Sequence, residues 1–294
     1  MMNMSKAVVD SVDYSSIQSL PEVWQITAER FGDTIALESA HTKPTVSLSY
    51  KELLARIQQF ASGLQALGVQ PGQKVSLFAD NSPRWFIADQ GIMTAGAANA
   101  VRSSKAERQE LLYILEDSDS TSLVVEDLKT LAKLRPELDN LSLDIIVIVL
   151  LSDETPPEDL PHQIVNFEKL MSAGKQYQLK PVEQDKQTLA TLIYTSGTTG
   201  KPKGVMLSHA NLLHQVINLK VIVNADIGDR VVSILPSWHV YERSAEYLVL
   251  SQGCTMYYTN LRSFKKDLQK YKPQYMVGAV SYTHLTLPTT CRVC

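Results

Sequence analysis

Cysteine is scarce, with only three in 294 residues, and two of them, Cys291 and Cys294, fall within the last four positions, so no disulfide framework holds this chain together. The terminal Cys-x-x-Cys pair lacks a partner pair and an adjacent helix, which leaves it without the setting of a redox or zinc motif. Long apolar runs are also missing. The longest uninterrupted one, Ile145 to Leu151, is a third of the roughly 20 residues a bilayer crossing requires. Met1 to Asp10 contains no apolar stretch of signal-peptide length, so the expected compartment is the cytoplasm. Charge of either sign is not in excess: 28 Lys and Arg against 31 Asp and Glu give a net −3. No clustered basic surplus is available for a phosphate backbone, and nucleic acid is not expected as a partner. Glycine and proline are modest at 13 each, which excludes collagen-like or low-complexity chains. No Gly-x-Gly-x-x-Gly occurs, and the Walker spacing fails because Gly197 would need a second glycine at Pro202. A Rossmann dehydrogenase and a P-loop GTPase are both disfavoured. There is no Gly-x-Ser-x-Gly elbow or kinase catalytic loop either.

What remains is a chain long enough for two ordinary domains or one large α/β domain. Strand-like and helix-like periods alternate along it, the pattern of a doubly wound α/β sheet. A helix is predicted from Pro21 to Phe31, with Gly32 stopping it, and another from about Tyr50 to a stop at Gly68. Strand Lys74 to Ala79 precedes a helix started by Asn81, Ser82 and Pro83 and running to Ala97. Helix Lys105 to Ser118, strand Ser122 to Val125, helix Asp127 to Leu134 and strand Asp144 to Leu151 follow. A polar loop from Ser152 to Pro161 is too short to mark a domain boundary. Beyond it the pattern gives strand Leu189 to Tyr194, a glycine-rich loop, a helix from Ser208, strand Arg230 to Leu235, a helix near Glu242 to Ser251, strand Cys254 to Tyr258, helix Leu261 to Tyr271 and strand Tyr275 to Val280. No internal repeat is visible.

The window Tyr194-Thr195-Ser196-Gly197-Thr198-Thr199-Gly200-Lys201-Pro202-Lys203-Gly204 carries the chemistry. Three of the 13 glycines fall within eight positions, directly after a buried-strand pattern. Glycines let backbone N–H groups turn inward, hydroxyls add donors and lysines add positive charge, a combination suited to a polyphosphate. A flexible surface connection that merely needs turns is the plainer alternative.

This window resembles the phosphate-binding signature of the adenylate-forming enzymes, the AMP-dependent synthetase and ligase superfamily. The resemblance implies a mixed and parallel doubly wound α/β fold, with residues 1–280 forming part of a large N-terminal adenylation domain. It also implies a two-step reaction in which a carboxylate attacks the α-phosphate of Mg-ATP to give an acyl-adenylate and a thiol then displaces AMP. By the same resemblance Thr195, Ser196, Gly197, Thr198, Thr199, Gly200 and Lys203 correspond to the loop holding the β- and γ-phosphates, and Thr195 to the hydroxyl near Mg²⁺. Positioned donors and cations are what such a transition state needs.

A second group, Leu235-Pro236-Ser237-Trp238-His239-Val240-Tyr241-Glu242-Arg243, lies just beyond a strand, where ligands sit in open α/β sheets. The resemblance puts His239 beside the reacting carboxylate and adenylate. The alternative is a loop histidine capping the helix that follows. Trp238, Tyr241, Tyr247, Leu248 and Leu250 are candidates for an acyl tunnel, or are ordinary core. His209 and His214 lack the spacing of a zinc site, and Ser208 as a helix cap explains that segment better. Lys265 and Lys266 read as a solvated helix face, with peripheral attachment to an anionic membrane as the alternative.

The run from Trp238 to Ser244, with Ala106 to Leu115, is most similar to the long-chain fatty-acid branch, including acyl-acyl-carrier-protein synthetases. That similarity implies a fatty acid as acyl donor and coenzyme A or the carrier protein's phosphopantetheine as thiol. Other adenylating ligases, for aryl or amino acids, and a non-catalytic nucleotide-binding fragment remain open. The resemblance ends at Val280, and residues 281–294 read as a non-native tail. The family's later Thr-Glu magnesium segment, ribose-binding Asp and C-terminal lysine domain are then absent, and the 294-residue chain alone is expected to be inactive.

Overall fold

A computed structural model of the protein describes residues 12–278, except Lys43, Asp139, Asp159, Leu160, residues 196–200 and Ile222, together with the backbone of Arg292 and Val293. The expected tail, residues 281–294, otherwise lies outside the described residues. Helices and strands alternate in the order α1 Pro21–Phe31, β1 Ile35–Ser39, β2 Val46–Ser49, α2 Tyr50–Ala66, β3 Lys74–Phe78, α3 Pro83–Thr94, β4 Ala98–Arg102, α4 Arg108–Asp117, β5 Ser122–Val125, α5 Leu128–Leu138, β6 Val147–Leu150, β7 Ile164–Asn166 and α6 Phe167–Gln176. The order continues with β8 Leu189–Thr195, β9 Lys203–Ser208, α7 His209–Asn218, β10 Arg230–Ser233, α8 Val240–Ser251, β11 Thr255–Tyr258, α9 Phe264–Tyr271, β12 Tyr275–Met276 and β13 Arg292–Val293.

The α/β alternation is present, and its strands divide between two sheets. One has the order β7-β6-β5-β3-β4-β8-β9 and the other β13-β12-β10-β11-β1-β2. Every pairing is parallel except β8 with β9 and β1 with β2, each at a sheet edge. One continuous core joins the sheets: Leu37 of β1 and Val75 and Leu77 of β3 belong to the same buried cluster as Trp24, Trp85, Phe86 and Tyr247 from the helices. Helices α1, α2, α3 and α8 contribute to that shared layer, while α4 and α5 cover the outer face of the seven-stranded sheet and α9 packs on β10 and β12. In the shared layer Trp24 meets Phe86 edge-on at 5.1 Å and Tyr247 at 5.9 Å.

Local chemistry accounts for the helix ends. Ser49 and Glu52 form a reciprocal capping box on α2, and Ser82 accepts from the Trp85 N–H at 3.0 Å to start α3. Helices α2 and α6 cross at glycines: a Cβ on Gly63 would lie 2.6 Å from the Leu170 carbonyl oxygen, and one on Gly174 1.9 Å from that of Gln59.

Some expected boundaries move. Helix α5 continues through Pro136 to Leu138, past the expected end at Leu134, because Leu134 and Leu138 are both buried against the sheet. Helix α8 starts at Val240 rather than near Glu242, capped by His239. Strand β9 lies inside what reads as loop; as an edge strand with no buried residue in its pattern, it carries no apolar alternation to reveal it. The short strands β1, β2 and β7 and helix α6 are likewise additional to the sequence expectation.

Candidate active site

Strand β8 ends at Thr195 and β9 begins at Lys203, opposite it in the antiparallel register. Both are exposed at the end of the hairpin that the connecting segment joins. Ser196, Gly197, Thr198, Thr199 and Gly200, expected to form the phosphate cradle, lie outside the described residues. Gly204 faces Tyr194 across the hairpin, and a Cβ there would come 2.9 Å from the ring's Cζ. The glycine is therefore required by a cross-strand ring. The Tyr194 hydroxyl donates to Asp117 Oδ2 at 2.8 Å, anchoring the hairpin to the end of α4. Burial first, then that carboxylate, hold the Tyr194 phenol well above its ordinary range.

The second candidate segment follows β10. His239 Nδ1 accepts from the Tyr241 N–H at 3.3 Å, so the histidine is the N-cap of α8, and in the neutral ring the proton sits on Nε2. Capping fixes the imidazole and leaves Nε2 uncommitted to the cap. Arg102, the last residue of β4, places its guanidinium 4.7 Å from the Trp238 ring centre and pairs with Glu110 at 2.7 Å. Because Val101 is paired with Ile193, Arg102 sits beside the carboxyl end of β8, immediately before the hairpin mouth. The two sequence-predicted segments thus converge around one arginine at the carboxyl edge of the seven-stranded sheet, the edge where open α/β sheets take ligands.

Behind this edge lies a buried polar network. Arg243 is fully buried and donates from Nε to the Tyr247 hydroxyl (2.6 Å), from Nη1 to Thr191 Oγ1 (2.8 Å) and from Nη2 to Asp89 and to Asn99 Oδ1 (3.0 Å). Asp89 also accepts from Tyr247 and Gln90, and Gln90 accepts from Trp24 Nε1 at 2.6 Å. Burial alone would lower the Arg243 pKa, but the Asp89 carboxylate and Tyr247 more than offset it, and the net shift is upward. The network ties α8 to α3, β4 and β8, and so ties the two sheets together. On the same helix Glu242, directly before Arg243, and Glu246, about one turn after it, are also buried. Burial holds Glu242 well above the carboxylate range, reinforced by Glu246, and pushes Glu246 up to about 8.

An apolar cavity of about 630 Å³ opens between α7 and α8, lined by residues such as Leu212, Val231, Tyr241, Ala245, Leu248 and Met276. Its size is that of a small-molecule site. Of the tunnel candidates Tyr241 and Leu248 line it, while Trp238, Tyr247 and Leu250 do not; Tyr247 and Leu250 are fully buried core. Among the described residues no group of three His, Cys, Asp or Glu side chains could hold a metal. The sequence does not single out Asp89, Asn99, Thr191 or Glu246; for Asp89 and Glu246 the available signal is charge inside the apolar stretches Trp85–Met93 and Ser244–Leu250, and Asn99 and Thr191 carry none.

Two mostly parallel sheets, an edge hairpin and a ligand-sized apolar cavity define an α/β class of protein with room for a small molecule. The family described as AMP-binding enzyme matches residues 24–289, and the chain belongs to it. Over 277 residues the chain is 37% identical to the long-chain-fatty-acid–[acyl-carrier-protein] ligase AEE15, chloroplastic, of Arabidopsis thaliana, an alignment covering 90% of this chain and 38% of that protein. Long chain acyl-CoA synthetase 8 of the same plant is 30% identical over 234 residues, covering 76% and 32%. The crystal structure of a long-chain-fatty-acid-CoA ligase from Archaeoglobus fulgidus superposes with a TM-score of 0.78 at 25% identity, covering 91% of this chain and 52% of that one. The chain thus spans well under half the length of these two plant relatives. No helix among the described residues is long and apolar enough to cross a membrane.

Proposed function

We propose that this chain supplies the phosphate hairpin and acyl pocket of an enzyme that activates long-chain fatty acids with ATP. The carrying observation is the apolar cavity beneath α8, whose lining includes Val240 and Tyr241, the residues directly after His239. A carboxyl group at its mouth would lie near the imidazole while the hydrocarbon fills the interior. Thr195 and Lys203, facing each other and exposed, with Lys201 two residues earlier, fit a polyphosphate as a hydroxyl and two ammonium groups. Mg²⁺ keeps several waters and takes phosphate oxygens, so one protein hydroxyl, Thr195, is compatible with it. When bound, the ion would neutralise charge on the departing pyrophosphate.

In this reading a carboxylate oxygen attacks the α-phosphorus, pyrophosphate leaves, and a thiol sulfur then attacks the acyl carbon as AMP departs. The names of the relatives favour a carrier-protein phosphopantetheine or coenzyme A as that thiol. Lys203 and the hairpin amides would hold the phosphates, and Trp238, His239 and Tyr241 would face the acyl end. The melting temperature of the chain with Mg-ATP tests this across a panel of acids: long-chain fatty acids should raise it and aryl or amino acids should not, since a ligand stabilises by the logarithm of its saturation. A shift with an aryl acid alone would replace the fatty-acid reading.

A further inference from the structure

The loop from Ser233 to His239 is gripped by residues of two different elements. Asn81, just past β3 in the seven-stranded sheet, accepts from the Ser237 N–H at 2.8 Å. Its amide nitrogen donates to the Leu235 carbonyl and to Ser233 Oγ, the latter at 3.3 Å. Glu246, in α8, accepts through Oε1 from Ser233 Oγ at 3.0 Å and from Ser237 Oγ at 2.9 Å. Ser233, Ser237 and Glu246 are fully buried. Glu246 places both hydrogen bonds on one oxygen, and Oε2 has no partner among the described residues.

We propose that Asn81 and Glu246 are positioning residues that fix the Ser233–His239 loop from two different elements, presenting Trp238 and His239 to the acyl end of the substrate. This rests on the function proposed above. Removing Glu246 would leave two buried serine hydroxyls without their acceptor, and the loop would have to move to satisfy them. What the clamp requires is an acceptor oxygen rather than a charge: a glutamine Oε1 can receive the same two bonds. The raised pKa of Glu246 agrees, because burial favours the neutral acid, which still offers Oε1 as the acceptor of both serine hydroxyls. The phosphate hairpin is held separately, by the β8–β9 ladder and by Tyr194 on Asp117, so the clamp should govern the acyl end and not the triphosphate end.

The test compares Glu246→Gln, Glu246→Ala and Asn81→Ala in the 294-residue chain. Two readouts are taken: amide hydrogen exchange across residues 234–241 without ligand, and affinities for Mg-ATP and for a non-hydrolysable long-chain acyl-sulfamoyl adenosine. Each alanine variant should speed exchange in that segment and weaken the acyl-adenylate mimic by about tenfold or more, with Mg-ATP affinity within about threefold, whereas Glu246→Gln should stay within about twofold on every readout. Unchanged loop protection in the alanine variants overturns the proposal, as does a glutamine variant as impaired as alanine. If the unsubstituted chain fails to bind the mimic, the functional reading is what fails, and exchange without ligand still decides the clamp. Should Glu246→Ala not fold, Asn81→Ala carries the same comparison.

Discussion

The guanidinium of Arg102 lies 4.7 Å from the centre of the Trp238 ring, joining the carboxyl end of β4 to the loop that carries His239. A partly desolvated cation–π contact of this kind is worth about 0.5–2 kcal/mol. Arg102→Ala should therefore weaken binding of an acyl-adenylate mimic by about threefold to thirtyfold, and Arg102→Lys should recover part of that loss because the cation remains while the forked pairing to Glu110 does not. Calorimetric titration reads the outcome, and equal affinity in all three proteins would show that the contact does not organise the site.

Arg243 has a different task. Its ion pair with Asp89 is wholly buried, and deleting one member leaves the other charge uncompensated in a low dielectric. Arg243→Ala is expected to cost about 3–5 kcal/mol of unfolding free energy in urea titrations. A loss below about 1 kcal/mol would mean that the network is wetter than its burial indicates.

Glu246 makes stability depend on pH. Its ordinary value is 4.5 and burial pushes it up to about 8. Between those values the folded state keeps a proton that the unfolded chain has lost, so stability falls as pH rises through the window and levels off above it. Glu242 acts in the same direction. The slope from one such group is at most about 1.4 kcal/mol per pH unit. Glu246→Gln should flatten it, and denaturation midpoints measured across the window check this.

His209 produces the opposite slope at lower pH. Burial lowers it from 6.5 to about 4, and its Nδ1 accepts from the Leu20 N–H at 3.2 Å. As pH falls from 6.5 towards 4 the unfolded chain takes up a proton that the folded ring refuses, and stability is lost. His209→Asn, which keeps an acceptor for Leu20 and cannot titrate, should abolish that loss; an unchanged acid limb would contradict the assignment.

Much of this architecture is legible in the sequence where one face of an element is buried. Strand Ser122 to Val125 and helix Pro21 to Phe31 match the structure at both ends because apolar periodicity, proline and glycine agree there. Strand β8, leading into the glycine-rich window, is legible through its buried apolar run. Strand β9 is not, since an exposed edge strand has no inward face to record. Nor is the partnership of Asp89 with Arg243, separated by 154 positions: each reads as an oddity in an apolar helix, and only the meeting of two sheets makes them a pair. His239 is the helix cap that the sequence allowed as its plainer alternative.

The cavity offers a steric prediction. Ala245 lines it from α8, and Ala245→Phe would fill the space that a long hydrocarbon needs. Affinity for hexadecanoyl-sulfamoyl adenosine should fall by about tenfold or more relative to the octanoyl compound. Equal losses for both would place the acyl chain elsewhere.

The most direct measurement is hydrogen exchange of the chain with and without hexadecanoyl-sulfamoyl adenosine and with Mg-ATP. The account predicts protection by Mg-ATP in peptides containing Thr195 and Lys203, and protection by the acyl compound in those spanning Trp238 to Leu248. Protection of neither segment, with the ligands bound and slowing exchange elsewhere, would contradict it.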